Sequence, residues 1–199
     1  MTLRTRLAWL LALLIVQLFY IPINRFITGG VELSTPLDSR IPLVPIWIIP
    51  YVLSLAWWAG CFIWAALEMD AGLYRALVAS TLFTMLTAYA FYLLYPTYVI
   101  RPVVEGSGWQ FDMLRQLYAS DRAYNAFPSG HTYTSLLILF YWWIWQPRLR
   151  CLWLAIVMVI LLSTLFTRQH YLVDLLGGLL WAGVGFSFGL WYIRRPIRV

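Results

Sequence analysis

The sequence contains no lysine: all 14 of its basic side chains are arginine. Charge of either sign is scarce, at 11% of 199 residues, against about 25% in a soluble domain. With 62% hydrophobic residues and a mean hydropathy of +0.76, no water-soluble fold of this length could hide its apolar surface. The solvent for most of the chain is therefore lipid, and length and continuity suggest one domain over residues 1–199. Cysteine is limited to Cys61 and Cys151, both inside apolar stretches. That argues against a disulfide or a metal cage and for small buried apolar side chains. The arginines are scattered between apolar runs and form no basic stripe, which argues against a nucleic-acid partner.

What the chain does have is long apolar runs. A span needs about 20 apolar residues to cross about 30 Å of hydrocarbon. Six are read: Leu7–Ile23, Ile46–Leu67, Ala76–Tyr95, Gly130–Trp145, Leu149–Phe166 and His170–Ile193. The first follows Arg4 and Arg6 but no small-x-small cleavage site follows it, so it reads as a retained anchor. The expected fold is an all-α polytopic membrane helix bundle of six transmembrane helices. A short amphipathic helix lies between spans three and four, where Trp109, Met113, Leu114 and Leu117 share a face. Small residues four apart, Gly178/Ala182 and Gly185/Gly189, predict close helix packing within the bundle.

Six spans put both termini on one side. The termini and even loops carry Arg4, Arg6, Arg75, Arg148, Arg150, Arg194, Arg195 and Arg198, eight of the 14 arginines in far fewer residues than the odd loops. The positive-inside rule then predicts cytoplasmic termini. The odd loops face outward.

Both histidines of the chain stand where an odd loop meets a span. His131 lies in Pro128-Ser129-Gly130-His131, just before an apolar helical run. Free backbone N–H groups at that helix start, with the Ser129 hydroxyl, make an anion site. His170 and Asp174 are four apart and would share a helical face. The carboxylate can then hold one imidazole nitrogen and leave the other as a nucleophile.

These residues resemble the type 2 phosphatidic acid phosphatase superfamily, the lipid phosphate phosphatases. Pro128-Ser129-Gly130-His131 matches its second motif, Arg101-Pro102 the end of its first, and His170 with Asp174 the end of its third. Two positions depart from the pattern. Leu94 stands where the first motif has lysine, and Thr164 where the third has arginine. Arg168, one turn further on, is expected to take over that contact. The Arg168-Gln169-His170-Tyr171 arrangement looks like the branch that includes inositol phosphorylceramide synthases and many bacterial relatives.

The resemblance implies a metal-free, cofactor-free hydrolase acting on a lipid phosphate or prenyl diphosphate. His170 would be the nucleophile, Asp174 its orienting partner, and His131 the acid and then the base. Arg101, Arg168, Ser129 and Gly130 would bind phosphate. It also implies an integral protein of the bacterial plasma membrane with an extracytoplasmic site.

Other readings stand beside this one. The chain could be a phosphotransferase with an alcohol acceptor, or a non-enzymatic membrane protein. His131, His170 and Asp174 could instead hold a metal ion. Asp121 and Arg122 read as a solvated loop pair. Asp38 and Arg40 read as structural, with a lid as the alternative, and Tyr98 and Tyr124 as interfacial aromatics.

Overall fold

The computed structural model describes residues 1–194. Arg195 and Arg198, used above in the topology argument, lie outside the described residues.

Helices α1 (Leu3–Leu18) and α2 (Tyr20–Phe26) form one apolar stretch broken at Phe19. The break has a local cause: Pro22 has no N–H to offer the carbonyl of Leu18. Helix α3 (Ile48–Glu68) carries Pro50 in its first turn, where a missing donor costs nothing. Helix α4 (Ala71–Leu94) starts five residues before the predicted span. Asp70 sets that start by accepting from Gly72 N and Leu73 N. Helix α5 (Trp109–Ser120) lies in the long third loop. Helices α6 (Gly130–Trp145), α7 (Arg150–Phe166) and α8 (Leu172–Arg194) follow.

Among the described residues five helical stretches are long and apolar enough to cross a membrane, and the chain is an integral membrane protein. The sixth expected span, α6, has 16 residues, about 24 Å at about 1.5 Å per residue. It is also the inner helix, buried from Thr132 to Leu139. Leucines such as Leu14, Leu53, Leu94, Leu176 and Leu180 lie exposed on the outside, which is where lipid tails replace water.

Helix α8 packs on α4 and α6 through its glycines. A Cβ on Gly178 would meet Thr132 Cβ at 2.5 Å, and one on Gly189 would meet the backbone oxygen of Ala76 at 2.5 Å. The small-residue stripe thus serves the bundle itself, as expected. Of the two cysteines, Cys61 is buried but Cys151 is exposed at the start of α7, contrary to the expectation that both are buried.

The two ends of the bundle differ. At one end Arg6 Nη1 donates to Met69 O at 2.7 Å and Ala66 O at 3.2 Å, capping the C-terminus of α3. Gly189, near the end of α8, sits beside Ala76 at that same end. At the other end the long loops interlock. Strand β1 (Val31–Glu32) pairs in parallel with β2 (Thr97–Tyr98). Leu114 of α5 is buried against the start of α3 with Ile48 and Tyr51. Both histidines are at this loop-covered end.

Candidate active site

Ser129 caps α6: its Oγ accepts from Thr132 N at 3.3 Å. The N–H groups of Gly130 and His131 belong to the first turn, which has no intrahelical acceptors. Ser129 N in turn donates to the backbone oxygen of Asp174 at 3.0 Å. The starts of α6 and α8 are therefore joined directly, and each delivers one histidine. The ring centroids of His131 and His170 are 6.3 Å apart.

His170 precedes α8 and is not on its helical face, as the spacing alone suggested. The contact to Asp174 forms across the helix start instead. Asp174 Oδ2 accepts from Tyr171 N at 2.8 Å and lies 3.4 Å from His170 Nδ1. Nδ1 faces the carboxylate, so Nε2 is the nitrogen left for chemistry. His131 is clamped by aromatics: Tyr51 stacks on it at 4.2 Å and Trp58 lies tilted at 4.9 Å. Its Nε2 is buried and has no partner.

Both histidines line a cavity of about 350 Å³. Gly130, Arg101 and Gln169 also line it, with Asp121, Asn125, Tyr51, Trp58, Tyr20 and Arg25 among the other walls. Arg101 is held from three sides. Nη1 donates to Asp121 O at 2.6 Å, and Nη2 to Gln169 Oε1 at 2.5 Å and Arg122 O at 3.4 Å. Its guanidinium lies over the Tyr118 ring at 4.8 Å. Arg101 Nε, Gln169 Nε2, His131 Nε2 and both amide atoms of Asn125 are buried without partners, and all belong to residues of this one wall. Such groups are costly unless something fills their hydrogen bonds.

Three expected site residues do not line the cavity: Ser129, Arg168 and Asp174, which stands behind His170. Ser129 is fully buried in its capping role. Arg168 lies further from its expected place. Helix α7 ends at Phe166 and Arg168 takes a positive φ of 53°, so it does not continue the face of Thr164. Its Nη1 donates to Asp38 O at 2.5 Å and Ile41 O at 3.0 Å. It straps the loop between the first two spans. Asp38 has the matching role: Oδ1 accepts from Leu172 N, the first residue of α8, at 2.8 Å.

Other residues were misjudged in the opposite direction. Asp121 and Arg122 do not pair with each other. Asp121 lines the cavity and accepts from Tyr20 OH at 3.0 Å. Burial pushes its carboxyl above the usual range, against the opposing pull of Arg101 and the Tyr20 hydrogen bond. Arg122 donates to Arg25 O at 2.6 Å and lies over Tyr124. Leu94, in the place of the missing lysine, is 84% exposed and faces away, whereas Arg25 is the second arginine on the wall. Nothing in the spacing marks Arg25, Asn125 or Tyr51. Among the described residues no three His, Cys, Asp or Glu side chains are grouped to hold a metal ion.

The PAP2 superfamily profile matches residues 42–188, most of the 199. The chain belongs to the PAP2 superfamily. Its members are generally phosphoesterases, and membership points to phosphatase-type chemistry on a lipid phosphate. Comparison with curated proteins and with solved structures returned no match. The PAP2 match spans α3 through most of α8 and includes every cavity residue except those of α1 and α2.

Proposed function

We propose that this PAP2 protein hydrolyses a lipid phosphate or prenyl diphosphate through a phosphohistidine on His170. The observation that carries the reading is that both histidines line one cavity whose wall keeps polar groups unsatisfied. His170 Nε2 attacks phosphorus while Asp174, at Nδ1, stabilises the imidazolium that forms. His131 protonates the departing oxygen and then takes a proton from the attacking water. Arg101 and the Gly130 N–H neutralise the equatorial oxygens. The separation of the two rings, 6.3 Å, leaves room for one phosphoryl group and its leaving oxygen between them.

The whole chain works as one transmembrane domain on this reading. Helix α6 counts as a sixth, short crossing, and α5 rides at the interface with Trp109 in the headgroups. The termini are cytoplasmic and the cavity opens on the extracytoplasmic face of a bacterial plasma membrane, where a lipid headgroup can enter while its tail stays in the bilayer. The sequence Arg168-Gln169-His170-Tyr171 fits the branch resembling inositol phosphorylceramide synthases.

The test is phosphate release by purified protein from a panel of lipid phosphates in the presence of chelator. Release, with an acid-labile phosphoenzyme that His170→Ala abolishes, is the expected result. A phosphoenzyme of undiminished yield in His170→Ala would remove the nucleophile assignment.

A further inference from the structure

Arg101 is held at both ends by the two neighbours of His170. Gln169 Oε1 accepts from its guanidinium. At the backbone end the Tyr171 hydroxyl accepts from Ile100 N, one residue before Arg101, at 3.0 Å. The same hydroxyl donates to Glu32 Oε1 at 2.8 Å. A phenol has one proton to donate, so with that proton directed at Glu32 its oxygen is left to accept from Ile100. Tyr171 is 3% exposed and packs with Val99 and Ala126. Glu32 belongs to β1, whose partner β2 ends two residues before Ile100. Among the described residues no basic side chain pairs with the Glu32 carboxylate.

We infer that Tyr171 and Glu32 are positioning residues that set Arg101 against the nucleophile. This rests on the phosphohistidine reading above. The backbone of Tyr171 is fixed to the His170 side of the site, because its N–H donates to Asp174 Oδ2, which faces His170 Nδ1. Its hydroxyl is fixed to the Arg101 side. One buried side chain thus spans both halves of the site, and the placing of the arginine relative to the attacking nitrogen is carried through it. Neither Tyr171 nor Glu32 lines the cavity, so both act through other residues. A donor aimed at the transferring group acts in full only when it is correctly placed. Loss of this tie should therefore slow phosphoryl transfer and leave lipid binding nearly unchanged.

The experiment is a double-mutant cycle on phosphate release from phosphatidate or a prenyl diphosphate, whichever the wild type turns over faster. Both kcat and KM are taken per monodisperse protein in mixed micelles. Tyr171→Phe removes the hydroxyl but keeps the ring and the N–H bond to Asp174. It should lower kcat about tenfold, on the scale of one hydrogen bond, and change KM less than about twofold. Glu32→Ala should lower kcat several-fold. Glu32→Gln, which keeps an acceptor for the hydroxyl, should recover most of that loss. Arg101→Lys keeps the charge but engages its donors with the acceptors around it. In that background Tyr171→Phe should cost less than about twofold further. An equal tenfold loss in both backgrounds would overturn the inference, since a merely structural tyrosine acts independently of Arg101. A kcat within about twofold of wild type in both Tyr171→Phe and Glu32→Ala would overturn it too. If Tyr171→Phe gives no monodisperse protein, Glu32→Ala carries the same cycle. No phosphate release by the wild type from any lipid would instead refute the phosphatase reading, and the inference with it.

Discussion

Replacing Arg101 by lysine separates charge from geometry at one position. A guanidinium has five N–H groups. Three are engaged by Asp121 O, Arg122 O and Gln169 Oε1, which leaves Nε–H and one Nη1–H for a phosphate. An ammonium has three, and the same three acceptors would consume them all. Arg101→Lys should therefore fold and keep its charge but have no donor left for the transferring group. A donor of this kind, acting mainly in the transition state, is worth roughly 3–4 kcal/mol, or about 10²–10³ in rate. The loss should fall on kcat more than on KM. Arg101→Ala should lose as much activity and also unfold more easily, because three acceptors lose their donor. The assay is phosphate release in mixed micelles across lipid concentration, with thermal unfolding measured on the same samples. If Arg101→Lys keeps kcat within about threefold of wild type, the count of free donors is wrong and Arg101 is a scaffold residue only.

Arg168→Ala should lower stability by about 2–3 kcal/mol through its two lost carbonyl contacts, while activity per folded molecule stays within a few-fold; a selective collapse of kcat in stable protein would restore it to the phosphate site. His131→Ala should slow substrates with poor leaving groups far more than aryl phosphates, which need little protonation; equal losses would refute the acid role. For Asp121, burial places the folded pKa above the unfolded one, so the stabilising effect of the protonated form is lost as pH rises through the folded value. Asp121→Asn should thus match wild-type thermal stability near about pH 4 and exceed it near about pH 7, and a gap that shrinks with rising pH would contradict this. A reporter fused after Val199 should read cytoplasmic, and an extracytoplasmic signal would invert the topology.

The residues legible in the sequence were those whose spacing carries their physics. Gly178, Gly185 and Gly189 announce a packing face because helix period puts them in one row. His131 and His170 stand out because each breaks into a loop at the mouth of an apolar run. Asp174 was paired correctly with His170, but through a helix start and not through a shared face. Arg168 lies off the face of Thr164 because spacing arguments hold only while the helix continues, and α7 ends at Phe166. The cavity wall was the least legible part. Arg25 from α2, Asp121 after α5 and Asn125 before α6 meet only through tertiary packing. Each alone looks like an ordinary loop or interface residue.

Asp38 and Arg168 have a bearing on how the protein is made. The loop between the first two spans reaches over and grips both flanks of His170, taking the Arg168 guanidinium on its carbonyls and capping Leu172 with its carboxylate. These partners are separated by 130 and 134 residues. The loop must wait for α8, which follows it in the chain, so the grip on the His170 segment forms only when α8 has docked. A chain in which α8 has not docked lacks these contacts on either side of His170. Docking of α8 and the ordering of the His170 segment are thereby one event.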